Sequence, residues 1–427
     1  MNKSFDLECD VLVIGAGSAG IPAAIGAARA GADVVLLEED AVVGGAAVDQ
    51  FVAKPGGGPR RGVVGEYMGT LREKYPLTDR QDGPRWSYWY LPADIVRVFD
   101  SLLQQESNLT VVRNARVSNL LVEKSRANDR VAGAVVQCGD REQIYHSPVI
   151  VDATGAGALG EQAGCEIMFG EESADDFGEE IAPEEPTDAV QQCTWMYVSQ
   201  KREGAKPIES SQLQEGHLVS GYGFVGSKSD DFDAWDTGIY LHWGCRIRCP
   251  DVRDPQALAD TQREALNLMS DDLDYLRDQG YAVYLGPRIG VREERRIRGE
   301  YVITYEHLRE GRIPDDTVTV TGRGIDIWTE GKANMDYPEV KPYGIPYRSL
   351  VPRGVDGLLV AGKHLSGTHI AMSAYRVQCI LGNVGQAAGV AAALCAEQNC
   401  QPRELNSQKL LSKLQASPQD LTIQSDG

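Results

Sequence analysis

Val11-Leu-Val-Ile-Gly15-Ala-Gly17-Ser-Ala-Gly20, followed by Asp33-Val-Val-Leu-Leu-Glu38, is the stretch that decides the fold. A strand ending at Ile14 must turn at once into a helix whose N-terminus faces a pyrophosphate. Gly15 permits the turn, Gly17 lets the backbone approach the phosphates, and Gly20 lets helix and strand pack closely. Glu38, eighteen residues after Gly20 and at the end of the second apolar run, stands where a carboxylate hydrogen-bonds ribose hydroxyls and disfavours a 2′-phosphate. The spacing therefore predicts a dinucleotide site on a βαβ unit.

Working outward, 427 residues are enough for two domains or for one large domain with an insert, and 42% hydrophobic with 24% charged is the balance of a globular chain. The net charge is −20, of which nine acids lie in Glu171 to Asp188 with no Lys or Arg among them. Removing those nine leaves about −11, which argues against nucleic acid as partner. The acidic run itself reads as a solvated loop or as a lid, and the sequence does not choose between them. Nine cysteines without a C-x-x-C pair signal neither a redox disulfide nor a metal site, and they suit the reducing cytoplasm. The two longest apolar stretches are interrupted, the first by five glycines, Arg29 and Asp33, the second by Asn383 and Gln386, so no membrane insertion is expected.

Further along, Lys54 to Gly65 reads as loop and Leu91 to Gln105 as a helix burying Ile95, Val98, Phe99, Leu102 and Leu103. Leu109-Val112, Ala115-Val122 and Val131-Val136 read as a meander that returns through Ile144 to a strand, Val149-Ile-Val-Asp-Ala153. Gln191 to Val198, Thr237 to Arg246 and Thr317 to Val320 read as strands, Asp254 to Gln279 as one long amphipathic helix, and Ser373 to about Ala396 as a Gly/Ala-rich helix. After Cys400 a short helix and a frayed tail are expected.

These segments resemble the FAD-dependent oxidoreductases of the glutathione-reductase-type fold, in particular the group allied to fumarate reductase and succinate dehydrogenase flavoproteins. The resemblance is carried by Gly15-x-Gly17-x-x-Gly20 with Glu38, Gly44-Gly45, Val149-Ile-Val-Asp-Ala-Thr-Gly155, Gly290-Val-Arg292-Glu-Glu-Arg295-Arg296, and Gly344-Ile-Pro-Tyr-Arg348-Ser-Leu350 running into Leu359-Val-Ala-Gly362. It implies an α/β fold: a Rossmann-like FAD-binding domain with a parallel sheet, built from residues 1–158 and 345–400, an inserted α+β substrate domain over 159–344, and a tail over 401–427.

Carried over motif by motif, the resemblance implies pyrophosphate contacts at Gly15, Gly17, Ser18, Ala19 and Gly20, ribose on Glu38, and Gly44, Gly45, Ala46 and Ala47 along the pyrophosphate and ribityl side. Val117 meets adenine, Ala153, Thr154 and Gly155 run beneath the cofactor, and Gly362 with Lys363 flanks the ribityl phosphate. Arg376 and Val377 belong to the helix whose N-terminus faces the flavin pyrimidine, where half a positive charge favours the reduced anion. No histidine follows Gly44-Gly45, so FAD is expected to be bound non-covalently.

For the reacting side, His364 and His369 fall in the loop that this fold sets beside the flavin, and His369 is the candidate acid/base. Arg292, within the run Arg292 to Arg298, and Arg348 are candidate anchors for a carboxylate, with salt bridging to Glu293, Glu294 and the acidic run as the competing reading. Trp86, Tyr88, Trp89, Tyr90 and Trp195 are candidate cavity walls or core. The dicarboxylate signature of fumarate reductases is not reproduced around His369, and where the resemblance implies a histidine after an Asp-Ile pair this chain has Asp326-Ile327-Trp328. With one Gly-x-Gly-x-x-Gly, the expected activity is hydride transfer between a small polar substrate and flavin N5, with an electron donor or acceptor that the sequence does not name. A flavin monooxygenase, or a non-redox nucleotide-binding protein of thiazole-synthase-like type, is the alternative.

Overall fold

In the computed structural model, residues 5–75, 89–209, 212–213, 238–329 and 337–416 are described. Trp86 and Tyr88 lie outside them, as does the tail beyond 416. The strand that leads into the glycine turn, Val11–Ile14, is buried at every position and sits in the middle of a five-stranded sheet. The order is Leu358–Val360, Val149–Asp152, Val11–Ile14, Val34–Leu37 and Leu109–Val112, all neighbours parallel. Continuous apolar runs, rather than alternation, are what a parallel sheet covered on both faces requires. The fold is thus α/β, and both ends of the chain contribute to one sheet.

Leu109–Val112 corrects one sequence expectation. It adds to the edge of the parallel sheet and does not join the meander, because Asn114, at φ 53, turns the chain out of that sheet before Ala115. Ala115–Glu123, Asp129–Cys138 and Arg141–His146 then pair antiparallel as a separate sheet, edged by Phe5–Glu8 and Val355–Asp356. The helix Pro92–Leu103 buries Ile95, Val98, Phe99, Leu102 and Leu103, the five residues its periodicity singled out.

The helix Gly20–Ala30 packs against Gln378–Gln398 at a separation that only glycine allows. A Cβ on Gly385 would stand 2.0 Å from Ala19 O, and one on Gly389 would stand 1.8 Å from Ala23 O. Gln378–Gln398 is long and apolar enough to cross a membrane, yet it is a core helix here, buried from Cys379 to Cys395. Its start is a second correction. The single helix expected from Ser373 is two, His369–Tyr375 and Gln378–Gln398, broken where Val377 turns extended at ψ 151.

Between residues 167 and 346 the strands are antiparallel. Tyr197–Lys201 lies between Ile239–His242 and Tyr281–Leu285, and Thr317–Thr321 pairs with Tyr343–Pro346. A core of its own gathers Cys193, Trp195, Tyr197, Tyr240, Cys245 and Leu276. The long helix expected over Asp254 to Gln279 is likewise two, Pro255–Leu268 and Ser270–Asp278, with the buried Met269 at the joint.

Candidate active site

The glycine turn at the end of Val11–Ile14 separates packing glycines from an approach glycine. Gly15 has φ 96 and a Cβ there would stand 2.9 Å from Ala153 O; a Cβ on Gly20 would stand 1.7 Å from Gly15 O. Both are required by the fold. Gly17 is different, because the nearest atom to a Cβ there is Gly45 Cα at 3.8 Å. Nothing in the packing asks for glycine at 17, whereas a phosphate approaching the backbone does.

Gly44 and Gly45 form the opposing turn. Gly44 N donates to Ala16 O at 2.8 Å, and Gly45, at φ 52, faces Gly17 before the short helix Ala46–Asp49. Glu38 is buried at the strand end, with Oε2 accepting from Ala16 N at 2.7 Å and Oε1 from Asp40 N at 2.9 Å. Burial raises its pKa, partly offset by those two backbone donors. Its carboxylate is therefore fixed against the glycine turn at the end of the strand. These residues fit a dinucleotide with an unphosphorylated ribose, which is the demand FAD makes.

The remaining cofactor candidates are distributed around this cradle. Ala153 backs Gly15; Thr154 donates from N and Oγ1 to Asp152 Oδ1 at 3.0 and 2.7 Å; Gly155, at φ 77, lies against Lys363. Lys363 turns to Glu294, 3.0 Å away. Val117 stands at a bulge in Ala115–Glu123, where the pairing slips between Val117 and Asn119. Ser18 O and Ala19 O face the helix Gln378–Gln398 at Gly382 and Gly385, so the glycine turn and the start of that helix are held side by side. Arg376 and Val377 occupy the break immediately before it.

His369 is the centre of a buried ionic group. It opens the helix His369–Tyr375, whose N-cap Thr368 accepts from Ala371 N, and its own N–H donates to Glu172 Oε2 at 2.8 Å. Its Nδ1 straddles the Glu293 carboxylate at 2.8 and 3.0 Å, while the buried Nε2 has no hydrogen-bond partner. Burial works against the charged imidazole, but Glu293 outweighs it and the pKa rises. Glu293 is fully buried, and its pKa is nonetheless held low, by His369 and then Arg296. Arg296 completes the chain, with Nε 3.3 Å from Glu293, Nη1 2.8 Å from Glu172, and Nη2 donating to Gly170 O. An imidazole held this way has a fixed ring orientation.

The acidic run that supplies Glu172 is therefore neither a free loop nor a bare solvated face. Glu172 and Glu179 turn inward, and Glu179 accepts from Thr368 Oγ1 at 2.7 Å and from Tyr305 N at 2.5 Å. Glu293, Glu172 and Glu179 were all missed as site residues. The only signal available was the density of charge in 171–188 and 292–298, which salt bridging explained equally well.

His364 has another partner. Its Nε2 lies 3.3 Å from Asp152 Oδ2, both fully buried, and the imidazole holds the Asp152 carboxyl below the usual range against the effect of burial. It ties the loop after Leu358–Val360 to the turn at Asp152–Thr154. Arg292 donates to Gln192 O at 2.6 Å and Thr194 Oγ1 at 2.7 Å, and Arg376 donates to Asp326 O at 2.9 Å and Gln191 Oε1 at 3.2 Å. Gln191 N in turn donates to Glu293 Oε2 at 3.1 Å, so Arg376 and Glu293 are one residue apart in space.

Arg348 is a correction. Its side chain is half exposed and its guanidinium is held by both oxygens of Asp316, at 2.9 and 3.1 Å, with Tyr301 beneath it. That carboxylate satisfies the fork, and Arg348 makes no contact with the His369 group. Among the aromatic candidates, Trp89 and Tyr90 are core, and Trp195 is buried with Nε1 donating to Gly286 O at 2.7 Å.

Parallel sheet, paired glycine turns and strand-end acid define a dinucleotide-binding oxidoreductase fold. The chain matches the FAD dependent oxidoreductase family over residues 10–417 and belongs to it. A curated relative, the tRNA uridine 5-carboxymethylaminomethyl modification enzyme MnmG of Rhodopirellula baltica, is 30% identical over 168 residues, 35% of this chain and 25% of that protein. The chain thus spans about a quarter of the length of that relative. Among solved structures, a geranylgeranyl bacteriochlorophyll reductase-like protein from Thermoplasma acidophilum is 12% identical with a TM-score of 0.47, covering 96% of this chain and 84% of that one. The Mycobacterium smegmatis Sdh1 complex is 15% identical with a TM-score of 0.41, covering 94% and 70%.

Proposed function

We propose that this oxidoreductase exchanges a hydride between a small polar metabolite and N5 of a non-covalently bound FAD, as a dehydrogenase or reductase, with His369 carrying the accompanying proton. The reading rests on one observation, the buried His369–Glu293 pair with Nε2 left without a hydrogen bond, at the opening of the short helix that precedes the long core helix. Bound FAD supplies the two-electron chemistry. The chain's own residues do the rest. Gly17 and Gly45 admit the pyrophosphate, Glu38 holds the ribose, and the start of Gln378–Gln398 offers partial positive charge to the electron-rich pyrimidine.

Glu293 fixes the tautomer of His369 with Nδ1 as donor, so that Nε2 takes a proton from a substrate being oxidised and returns one to a substrate being reduced. Arg296 keeps Glu293 ionised, and Glu172 holds the His369 backbone in register. Non-covalent binding is supported by Ala46 and Ala47 following the Gly44-Gly45 turn, and a cytoplasmic setting by nine free thiols. Acidic overall charge speaks for a small-molecule substrate over nucleic acid.

The test is anaerobic screening of hydroxy acids, amines and sugars for bleaching of the visible flavin band. His369→Asn is expected to slow bleaching by about 10²-fold or more while FAD content stays constant. Turnover with no change of flavin redox state would refute the reading. Peroxide released with NAD(P)H would favour a monooxygenase, and a bound nucleotide that is not a flavin would favour the non-redox alternative.

A further inference from the structure

The His369 group leans acidic: two cations, Arg296 and His369, stand among three carboxylates, Glu293, Glu172 and Glu171. One residue away, across Gln191, the balance reverses. Arg246 and Arg292 both stack on Trp328, with their guanidinium carbons 4.7 and 5.5 Å from the ring centroid. Among the described residues, neither has a carboxylate within 4 Å; Arg292 spends its Nη1 on the neutral acceptors Gln192 O and Thr194 Oγ1. Arg376 joins them, and the one acid at hand, Asp326, is shared. Its Oδ1 accepts from Trp328 Nε1 at 2.7 Å, and its Oδ2 pairs with Arg323 at 2.9 Å and stands 3.7 Å from Arg376.

Two donors in this cluster are buried and without a hydrogen-bond partner, Nε of Arg376 and Nε2 of Gln191, and Gln191 is only 1% exposed. A buried donor left unsatisfied and a surplus of partly buried positive charge are both costly, and chains keep them where a ligand resolves them. The contrast with the neighbouring Arg296 is direct. Carboxylates raise Arg296 despite burial, whereas burial and then Arg376 bring Arg292 down to about 9. Lys54, next to Arg323 and Asp326, is brought down to about 7 by burial and then by Arg323.

We propose that Arg246, Arg292 and Arg376, with Gln191, form an oxyanion site on Trp328, and that the substrate is a small organic anion carrying a carboxylate or a phosphate. Guanidinium forks stacked on an indole are rigid and weakly hydrated, which suits them to either oxyanion. Because Gln191 bridges Arg376 to Glu293, the anionic group is held within one side chain of the His369–Glu293 pair. This inference rests on the redox reading for the word substrate but not for the site.

The experiment is titration of the FAD-loaded protein with malonate, succinate and inorganic phosphate, read by perturbation of the flavin spectrum and by thermal shift. Saturable binding is expected for at least one, weakened about 10-fold or more by Arg292→Gln and by Arg376→Gln at constant FAD content, and unchanged by Arg348→Gln. Arg292→Lys keeps the charge without the fork and guards against a folding defect; it is expected to bind more weakly than the parent but more tightly than Arg292→Gln. No saturable binding, or binding that both Gln variants leave intact, overturns the proposal; loss of FAD in those variants does so too, since the arginines then serve the cofactor. If anions bind through the arginines but no compound bleaches the flavin, the redox reading falls and the site stands. If a neutral compound bleaches it equally in parent and variants, the redox reading stands and the site falls.

Discussion

Replacing Glu293 by Gln isolates the part of the site on which the proton chemistry depends. The side chain keeps its shape but loses its charge; it accepts from His369 Nδ1 and from Gln191 N at 3.1 Å, and it lies 3.3 Å from Arg296 Nε as an ion pair. An amide has one acceptor oxygen for these two donors and no charge for Arg296, and it turns an NH2 toward one of the three. Breaking a fully buried ion pair from one side costs about 3 to 5 kcal/mol, and that is the loss expected where the pair is fully formed. The sign with pH follows from the two directions. His369, raised in the fold, contributes stability that is complete below the ordinary histidine value and is lost as pH rises through its folded value. Glu293, lowered in the fold, contributes stability that is complete above the ordinary carboxylate value and is lost as pH falls through its folded value. The deficit of Glu293→Gln, measured by urea unfolding of the FAD-loaded protein, is therefore largest between about pH 5 and 6.5 and shrinks as pH rises further. The pH profile of flavin bleaching gives the second readout: in the variant, burial and Arg296 act on His369 with only Glu171 opposing them, and the acid limb moves to lower pH. A deficit that is constant across this range, with an unmoved acid limb, would refute the coupling of Glu293 to His369.

Other outcomes follow from the same geometry. Gly17→Ala is expected to leave the unfolding midpoint of the FAD-free protein within about 0.5 kcal/mol of the parent but to weaken FAD binding, measured by flavin fluorescence, about 10-fold or more. Gly20→Ala, whose Cβ would stand 1.7 Å from a carbonyl, is expected to destabilise the FAD-free protein by more than about 2 kcal/mol. Glu38→Ala leaves Ala16 N and Asp40 N without their acceptor and is expected to cost about 1 to 3 kcal/mol as well as FAD affinity, both read in the same titration. Arg348→Gln is expected to change stability by less than about 1 kcal/mol, because its pair with Asp316 is solvent-screened, and to leave flavin bleaching unaltered.

What could be read from the sequence divides along a physical line. Gly15, Gly20 and Glu38 were legible because a turn at positive φ, a helix against a strand and a strand-end acid each leave a mark within thirty residues. The helix Pro92–Leu103 was legible because its buried face has helical period. Leu109–Val112 was not placed correctly, since a short apolar strand fits either sheet and only the φ of Asn114 separates them. The ionic group was invisible for a stronger reason. Glu172 reaches His369 across 197 positions, Glu179 reaches Thr368 across 189, and Glu293 reaches His369 across 76. Local composition shows only that charges are dense there, and a solvated acidic face has the same composition as one that folds inward.

The break at Arg376–Val377 shows why the two kinds of legibility meet at one place. A helix running unbroken from His369 to Gln398 would satisfy the propensities of that stretch and would bury the start of Gln378–Gln398 in its own interior, leaving no free helix terminus beside the glycine turn. Val377 in an extended conformation ends one helix and starts another, and the packing of Gly382, Gly385 and Gly389 against Ser18, Ala19 and Ala23 fixes where the second must start. The same break carries Arg376 out of helical register, so that its guanidinium reaches Gln191 and Asp326. Glycine spacing in one helix thereby determines the position of a cation in the neighbouring ionic group. If that coupling is correct, Gly385→Ala should perturb the anion titration as well as FAD affinity, even though residue 385 touches neither Arg376 nor Trp328.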